Sequence, residues 1–150
     1  KKANNMWQRR PFDDLSTMKL FEIYKLRGEV FTVEQKRIHN DIDDNDLKAI
    51  HVYDELDGQI AAYARVFLKQ PGLVTFGRVV TAPNFRGKGL GNELIHQIME
   101  TIHDYFPGNK IEIDAQIQVE GYYQKFGFHS EGEPYIHIST PHIKMVHEAL

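Results

Sequence analysis

The sequence predicts an α/β or α+β domain in which a mixed sheet carries helices on both faces. Three observations support this prediction: a β-hairpin pattern over residues 49–67, a strand, glycine-rich turn, helix and strand in order over 73–115, and two late strands after residue 128. The second of these is a βαβ unit, which requires at least one parallel strand pair. Because 150 residues suffice for one substantial core, we expect residues 1–150 to form a single domain.

The first half of the chain reads as one helix followed by a hairpin. Apolar residues recur at helical spacing over residues 15–33, and the polar segment 34–48 is expected to be a loop. Alternating runs flank Asp57 and Gly58, a pair typical of a type I′ turn. In the second run, four apolar residues are expected to share one face of the sheet: Ile60, Ala62, Ala64 and Val66.

The second half begins with a strand over residues 73–80, where Gly77 indicates a bulge or a close backbone approach. A clear amphipathic helix follows, with apolar residues every fourth position: Leu90, Leu94, Ile98 and Ile102. A strand is predicted over 110–115 and a short helix over 117–126, with Gly127 in the left-handed conformation after it. The remaining residues read as two strands.

Composition excludes several classes of protein. The net charge is −3, with acidic and basic residues mixed, which argues against a general nucleic-acid binder. No apolar run approaches the length of a membrane span and no secretory signal is present, so we expect a cytoplasmic protein without a membrane partner. The chain has no cysteine, which excludes disulfides, zinc–thiolate sites and a cysteine nucleophile.

The turn "RGKGLG" at residues 86–91 suggests a phosphate site, but not of the common nucleotide types. A Walker A loop would need glycine where Ala82 stands and a hydroxyl residue where Gly89 stands. The dinucleotide fingerprint would need glycine at Asn92. What remains is R-x-x-G-x-G before a helix, whose free N–H groups and dipole suit a pyrophosphate. A plain glycine-rich turn is the alternative.

The turn and a second motif resemble those of the GNAT family of N-acetyltransferases. Residues 86–91 match that family's [QR]-x-x-G-x-[GA] signature, and "GYYQKFGF" at 121–128 resembles its tyrosine before a Gly-Phe pair. Five segments are similar to the ElaA-like branch of the family: "LRGEVFTVEQ" (26–35), "DIDDNDLKAIHV" (41–52), "GRVVTAPNFRGKGLG" (77–91), "AQIQVEGYYQKFGF" (115–128) and "PHIKM" (141–145).

The resemblance implies a mostly antiparallel, twisted sheet of about six or seven strands with about four helices, and acetyl-CoA as cofactor. It assigns pantetheine binding to the backbone of Val79, Val80 and Thr81. Pyrophosphate binding falls on the turn and the first residues of the helix: Arg86, Gly87, Lys88, Gly89, Leu90, Gly91 and Asn92. Tyr123, or Tyr122 after a slip of one residue, would lie near the CoA sulfur.

Acetyl transfer to an amine needs a base, stabilisation of the carbonyl oxyanion and a proton for the departing thiolate. Without cysteine, we expect direct attack by a primary amine of a small molecule or peptide in a ternary complex. The oxyanion would be stabilised by a backbone N–H near Val79 or Val80, and Tyr123 would be the general acid. A CoA-binding module without catalytic activity is the competing hypothesis.

The base and the acceptor pocket are less well defined by the sequence. His51 and His142 are the candidate bases, and a hydrogen-bonded histidine of the sheet is the alternative for each. Glu34 and Gln35 are expected to line the amine pocket, Glu34 by attracting a cationic amine; a solvated loop charge is the alternative. Whether the protein is a monomer or a homodimer stays open.

The acidic segment "DIDDND" at residues 41–46 invites comparison with a calcium loop. Asp46 stands where an EF-hand needs glycine and Val52 where it needs glutamate, so we expect no metal site. We expect instead a solvated loop that shapes the acceptor entrance. Arg78 is expected to pair with a carboxylate at the edge of the core, without a catalytic role.

Overall fold

The computed structural model describes residues 6–150 and contains one mixed seven-stranded sheet with helices on both faces. The strands are β1 (Met6–Pro11), β2 (Ile50–Leu56), β3 (Gln59–Gln70), β4 (Leu73–Thr81), β5 (Lys110–Gln116), β6 (His129–His137) and β7 (Thr140–His147). The α-helices are α1 (Thr17–Arg27), α2 (Asn45–Lys48), α3 (Leu90–Tyr105) and α4 (Glu120–Gln124). None of the helices within residues 6–150 is long and apolar enough to cross a membrane.

The sheet order is β1-β2-β3-β4-β5-β7-β6. Neighbouring strands are antiparallel except β4 and β5, which are parallel. The mixed sheet and the parallel pair predicted for residues 73–115 are therefore confirmed. Strand β1 was not predicted, because its sequence "MWQRRP" does not alternate. Residues 1–5 of the predicted single domain lie outside the described residues.

Two apolar layers hold the helices against the sheet. On one face, buried residues of α3 pack against the central strands: Leu94, Ile95, Ile98 and Ile102. On the other face, Ile23 and Leu26 of α1 pack against Tyr53 and Tyr63. The amphipathic helix predicted after the glycine-rich turn is thus confirmed, and burial of its apolar stripe fixes the orientation of its N-terminus.

The first predicted helix is right in extent but not in geometry. Ser16 begins α1, because its hydroxyl accepts a hydrogen bond from the Lys19 N–H at 3.0 Å. Gly28 does not end the helix, since its φ of −63° is helical. The chain continues instead as a π-helix over Gly28–Glu34, a wider geometry that is frequent near functional sites.

The predicted hairpin is present, but one residue of its second strand faces the side opposite to the one predicted. Asp57 and Gly58 both have positive φ, 54° and 73°, as a type I′ turn requires. Asp54 pairs with Ala62 but Glu55 pairs with Ile60, so Ala61 is an extra residue in β3. This bulge turns Ile60 to the α1 side, and the prediction that it shares a face with Ala62 was wrong.

Candidate active site

Strands β4 and β5 separate soon after they meet. Only Leu73 with Lys110 and Val74 with Ile111 are paired, and no further pair between these strands is formed within the described residues. The rest of β4 therefore presents backbone N–H and C=O groups to a gap in the sheet. A cavity of about 930 Å³ occupies this gap, with Val79 and Tyr123 in its wall.

A bulge in β4 shapes the wall of this cavity. Tyr63 pairs with Val80 and Arg65 with Gly77, so two residues of β4, Arg78 and Val79, stand opposite one residue of β3. The predicted bulge is confirmed, but the left-handed backbone falls on Arg78, with φ 52°, rather than on Gly77. Both bulge residues line the cavity. Val80 is buried in the core, and neither Val80 nor Thr81 lines the cavity.

The glycine-rich turn connects the far end of β4 to α3. Gly87 and Gly89 have φ values of 78° and 79°, a left-handed backbone conformation that residues other than glycine rarely adopt. Gly89 precedes α3, and no side chain caps the helix there. The first N–H groups of α3, from Leu90 onward, are thus left for an anionic ligand, together with the positive end of the helix dipole.

The resemblance assigns the glycine-rich turn to the CoA pyrophosphate, so replacing Gly89 by alanine is expected to weaken CoA binding. A left-handed alanine costs about 1–2 kcal/mol, so the turn should relax and its N–H groups should lose alignment, with a loss of about tenfold in affinity. Calorimetric titration with CoA measures this. The matched control is Gly58→Ala, which strains another left-handed glycine in the β2–β3 turn; it should lower stability and leave CoA affinity unchanged.

Arg86 and Glu34 form an ion pair beside the glycine-rich turn. The Arg86 guanidinium donates from both terminal nitrogens to the Glu34 carboxylate, at 3.0 and 2.7 Å, and from Nε to the Thr81 carbonyl at 3.2 Å. The hydrogen bonds from Arg86 lower the pKa of the exposed Glu34 carboxyl. Glu34 lies outside the cavity and Gln35 lines it; the expected role of these two residues in the amine pocket stays a prediction. Lys88 lies with Nζ 5.5 Å from the Phe85 ring centre.

Tyr123 and Tyr122 both reach the cavity from α4. Tyr123 is buried, with its ring 6.0 Å from that of Phe76 and 5.8 Å from that of Phe128, measured between centroids. Its hydroxyl has no hydrogen-bond partner among residues 6–150. Burial raises the pKa of Tyr123 above its ordinary value, so the phenol stays protonated at neutral pH. The position of Tyr123 is compatible with proton donation into the cavity.

Tyr122 is engaged at the start of α3 instead. Its hydroxyl donates to Asn92 Oδ1 at 3.0 Å. The same oxygen would lie 3.5 Å from a Cβ atom built on Gly91. Tyr122 therefore connects α4 to the first turn of α3, where the resemblance places the pyrophosphate.

The two candidate histidines differ in their surroundings. His142 lines the cavity, and its Nδ1 donates to the Thr140 carbonyl at 2.8 Å, which leaves Nε2 as the lone-pair nitrogen. His51 is fully buried away from the cavity wall; its Nδ1 accepts from the Tyr63 hydroxyl at 2.7 Å and its Nε2 donates to the Asp46 carbonyl at 2.9 Å. Burial lowers the pKa of His51. Candidate base His51 is thus a hydrogen-bonded histidine of the sheet, as in its alternative interpretation.

A partly buried cluster of charged residues, which we call the Arg–Asp cluster, was not predicted. It consists of Arg27, Arg65, Arg78, Asp41, Asp43 and Asp46. Arg27 is 0% exposed and Asp46 1% exposed, so the expectation of a solvated acidic loop was wrong. Arg78 Nε lies 2.8 Å from Asp41 Oδ1, which confirms its expected pairing with a carboxylate. Arginines within apolar stretches, such as Arg65 between Ala64 and Val66, are the sequence signal for this cluster.

Comparison with known proteins places the chain in a family. The acetyltransferase (GNAT) domain model matches residues 14–149, and the chain belongs to this family of acyltransferases. It is 32% identical to the protein ElaA of Escherichia coli K12 over 148 residues, covering 96% of this chain and 97% of that protein. It is 35% identical to a UPF0039 protein of Schizosaccharomyces pombe over 136 residues, covering 89% of this chain and 91% of that protein.

Solved structures agree with this placement. An acyl-CoA N-acyltransferase from Pseudomonas aeruginosa superposes with a TM-score of 0.91 at 32% identity, over 96% of this chain and 99% of that chain. The crystal structure of Escherichia coli ElaA gives the same TM-score of 0.91 at 32% identity, over 97% of this chain and all of that chain. The predicted fold and the resemblance to ElaA-like GNAT proteins are confirmed.

Proposed function

We propose that this protein is an acetyl-CoA-dependent N-acetyltransferase that transfers the acetyl group directly to a primary amine. The observation that carries this proposal is the separation of β4 from β5. It leaves an unpaired strand edge beside a cavity that Tyr123 and His142 also line. The glycine-rich turn lies at the far end of the same strand. A strand edge suits an extended pantetheine arm, and free helix N–H groups suit a pyrophosphate.

The residues of the cavity supply the chemistry that transfer needs. The lone-pair nitrogen of His142, directly or through a water molecule, would take the amine proton. A β4 backbone N–H near Val79 or Val80 would stabilise the oxyanion. Tyr123 would give its phenolic proton to the thiolate as it leaves. Because the chain has no cysteine, a cysteinyl acetyl-enzyme is excluded and direct transfer is favoured.

The proposal is tested by a thiol-release screen with acetyl-CoA against amines, polyamines, aminoglycosides and peptide N-termini. Since the protein has no thiol of its own, a thiol reagent reports only released CoA. We expect CoA release that depends on the amine, with the N-acetylated amine detected by mass spectrometry. Binding of CoA without acetylation of any amine would favour the non-catalytic module. The cytoplasmic location and the absence of a nucleic-acid partner stay predictions, and the choice between a monomer and a homodimer stays open.

A further inference from the structure

The charges around the cavity indicate what kind of amine it accepts. We infer that the acceptor is a primary amine that carries a carboxylate, and that Arg78, assisted by Arg37, binds this carboxylate. The inference rests on the proposed function, because it identifies the acceptor class of the same site. It extends that function from primary amines in general to amino-carboxylates such as amino acids.

Arg78 is held in the cavity wall by a strained backbone. It is an arginine with φ 52°, a left-handed conformation that costs a non-glycine residue on the order of 1 kcal/mol. The strained conformation of Arg78 is part of the β4 bulge. It places the side chain next to the Val79 backbone, which is proposed to face the thioester. Its side chain is 24% exposed and lines the cavity. Strained residues of this kind are frequently functional.

The guanidinium of Arg78 is only partly satisfied by the protein. Nη2 donates to the Asp41 carbonyl at 2.9 Å and lies 3.8 Å from Asp43 Oδ2, beyond hydrogen-bond distance. Nε lies 2.8 Å from Asp41 Oδ1 but without hydrogen-bond geometry. Nη1 has no partner within residues 6–150. Burial and the neighbouring Arg65 both lower the pKa of Arg78, as expected where cations are incompletely compensated. An anionic group of a ligand would supply the missing acceptor.

Among the described residues, cations outnumber carboxylates in the cavity wall by four to two. The ionisable lining residues other than histidine and tyrosine are Arg37, Lys69, Arg65, Arg78, Asp43 and Asp114. Asp43 accepts from Arg65 at 2.6 and 3.0 Å, and Asp114 accepts from the Tyr135 hydroxyl. A polyamine or an aminoglycoside would therefore bring further positive charge to a wall that is already rich in cations.

Arg37 is the second cation of the cavity wall with N–H groups left to bind a ligand. It donates only to carbonyl oxygens, those of His137 at 3.3 Å, the last residue of β6, and of Ile138 at 3.4 Å, in the turn that follows. It forms no ion pair within the described part of the chain. Lys69, in contrast, is paired with Glu112 at 2.8 Å. Because a planar guanidinium presents N–H groups in the geometry of a carboxylate, Arg78 and Arg37 are the matching partners.

Matched substrate pairs test the inference. Each amino acid is compared with the amine that lacks its carboxylate, for example lysine with cadaverine, and an aminoalkyl phosphate is added. We expect acetylation of the carboxylate-bearing member at the higher kcat/KM. Arg78→Gln should raise the KM for that acceptor by about ten- to a hundredfold and leave the KM for acetyl-CoA unchanged. The control Lys69→Gln removes one positive charge, as Arg78→Gln does, but from a residue that is already paired with Glu112. It should keep the preference for the carboxylate-bearing amine.

A second variant guards against loss of folding, since Arg78 also contacts the Arg–Asp cluster. Arg37→Gln lies outside that cluster and should reduce the preference for the carboxylate in the same direction, by a smaller factor. Equal rates for both members of each pair in the unaltered protein would overturn the inference. Acetylation of the phosphate-bearing amine alone would also overturn it. So would an Arg37→Gln variant whose rates fall equally for both amines of a pair.

Calorimetry separates this inference from the proposed function. The CoA-saturated protein is titrated with the same amino acids and with their decarboxylated partners. Binding that requires the carboxylate and is weakened in Arg37→Gln, without CoA release from acetyl-CoA, would support the inference and contradict the transferase. CoA release without a preference for the carboxylate would support the transferase and contradict the inference.

Discussion

Replacing Tyr123 by phenylalanine is expected to lower kcat for acetyl transfer by about 10²- to 10⁴-fold, the usual contribution of a general acid. The substitution removes only the hydroxyl and keeps the ring against Phe76 and Phe128, so folding and acetyl-CoA affinity should persist. Steady-state kinetics with saturating acetyl-CoA measure the effect. An unchanged kcat would exclude Tyr123 as the proton donor.

Tyr122→Phe is the matched control for this prediction. It removes the neighbouring hydroxyl, whose hydrogen bond goes to Asn92 rather than into the cavity. We expect it to affect kcat by less than about tenfold, since a neutral hydrogen bond contributes about 1 kcal/mol. If Tyr122→Phe lost activity and Tyr123→Phe kept it, the roles of the two residues would be reversed.

The pH profile gives a second test of Tyr123. Burial raises the pKa of this phenol, so the protonated, donating form persists beyond the ordinary tyrosine value of about 10. The decline of kcat due to Tyr123 deprotonation should therefore lie above that pH. A decline of kcat between pH 8 and about 9.5 in the unaltered protein, absent from Tyr123→Phe, would contradict the raised pKa of Tyr123.

Replacing Asp46 by alanine is expected to destabilise the protein by about 3–5 kcal/mol, as removal of one partner of a buried ion pair does. Asp46 accepts from Arg27 at 2.6 Å and lies 3.0 Å from Arg65, and Arg27 has no exposed surface. The substitution leaves both guanidinium groups short of negative charge. Urea unfolding at neutral pH measures the loss. Glu34→Gln breaks the exposed pair with Arg86 and should leave the midpoint nearly unchanged.

The same carboxylate predicts how stability depends on pH. Burial acts to raise the pKa of Asp46, but the hydrogen bonds from Arg27 and the Asp43 N–H, together with the charges of Arg27 and Arg65, outweigh it, and the pKa lies below its ordinary value. Its stabilising contribution is therefore complete above the unfolded pKa of about 3.9 and is lost as the pH falls toward the lower folded value. Asp46→Ala should show a weaker loss of stability in this acidic range than the unaltered protein.

Local patterns predicted most of the fold. The stripe from Leu90 to Ile102, the Asp57-Gly58 turn and the strand–helix–strand unit each depend on residues near one another in sequence, and all were found. Strand β1 was missed because it pairs at the sheet edge and its sequence "MWQRRP" does not alternate polar and apolar residues. Ile60 was assigned to the wrong face because a one-residue bulge leaves no mark on an alternating pattern.

The candidate site was predictable only where a local motif defines it. The glycine-rich turn and Tyr123 lie in contiguous motifs, whereas direct contacts in the Arg–Asp cluster join residues up to 37 positions apart, as between Asp41 and Arg78. Glu34 looked like an acceptor contact because its partner Arg86, 52 residues away, cannot be read from the sequence. The sequence does not distinguish His51 from His142; both are buried, and only the tertiary structure shows that His142 lines the cavity and His51 does not.

The central claim is direct transfer from acetyl-CoA to the amine, and initial-velocity kinetics test it most directly. Both substrates are varied, with the best amine from the screen as acceptor. A ternary complex predicts intersecting lines in double-reciprocal plots and no acetylated protein when the amine is omitted. Parallel lines, together with an acetyl group covalently bound to the protein, would contradict direct transfer.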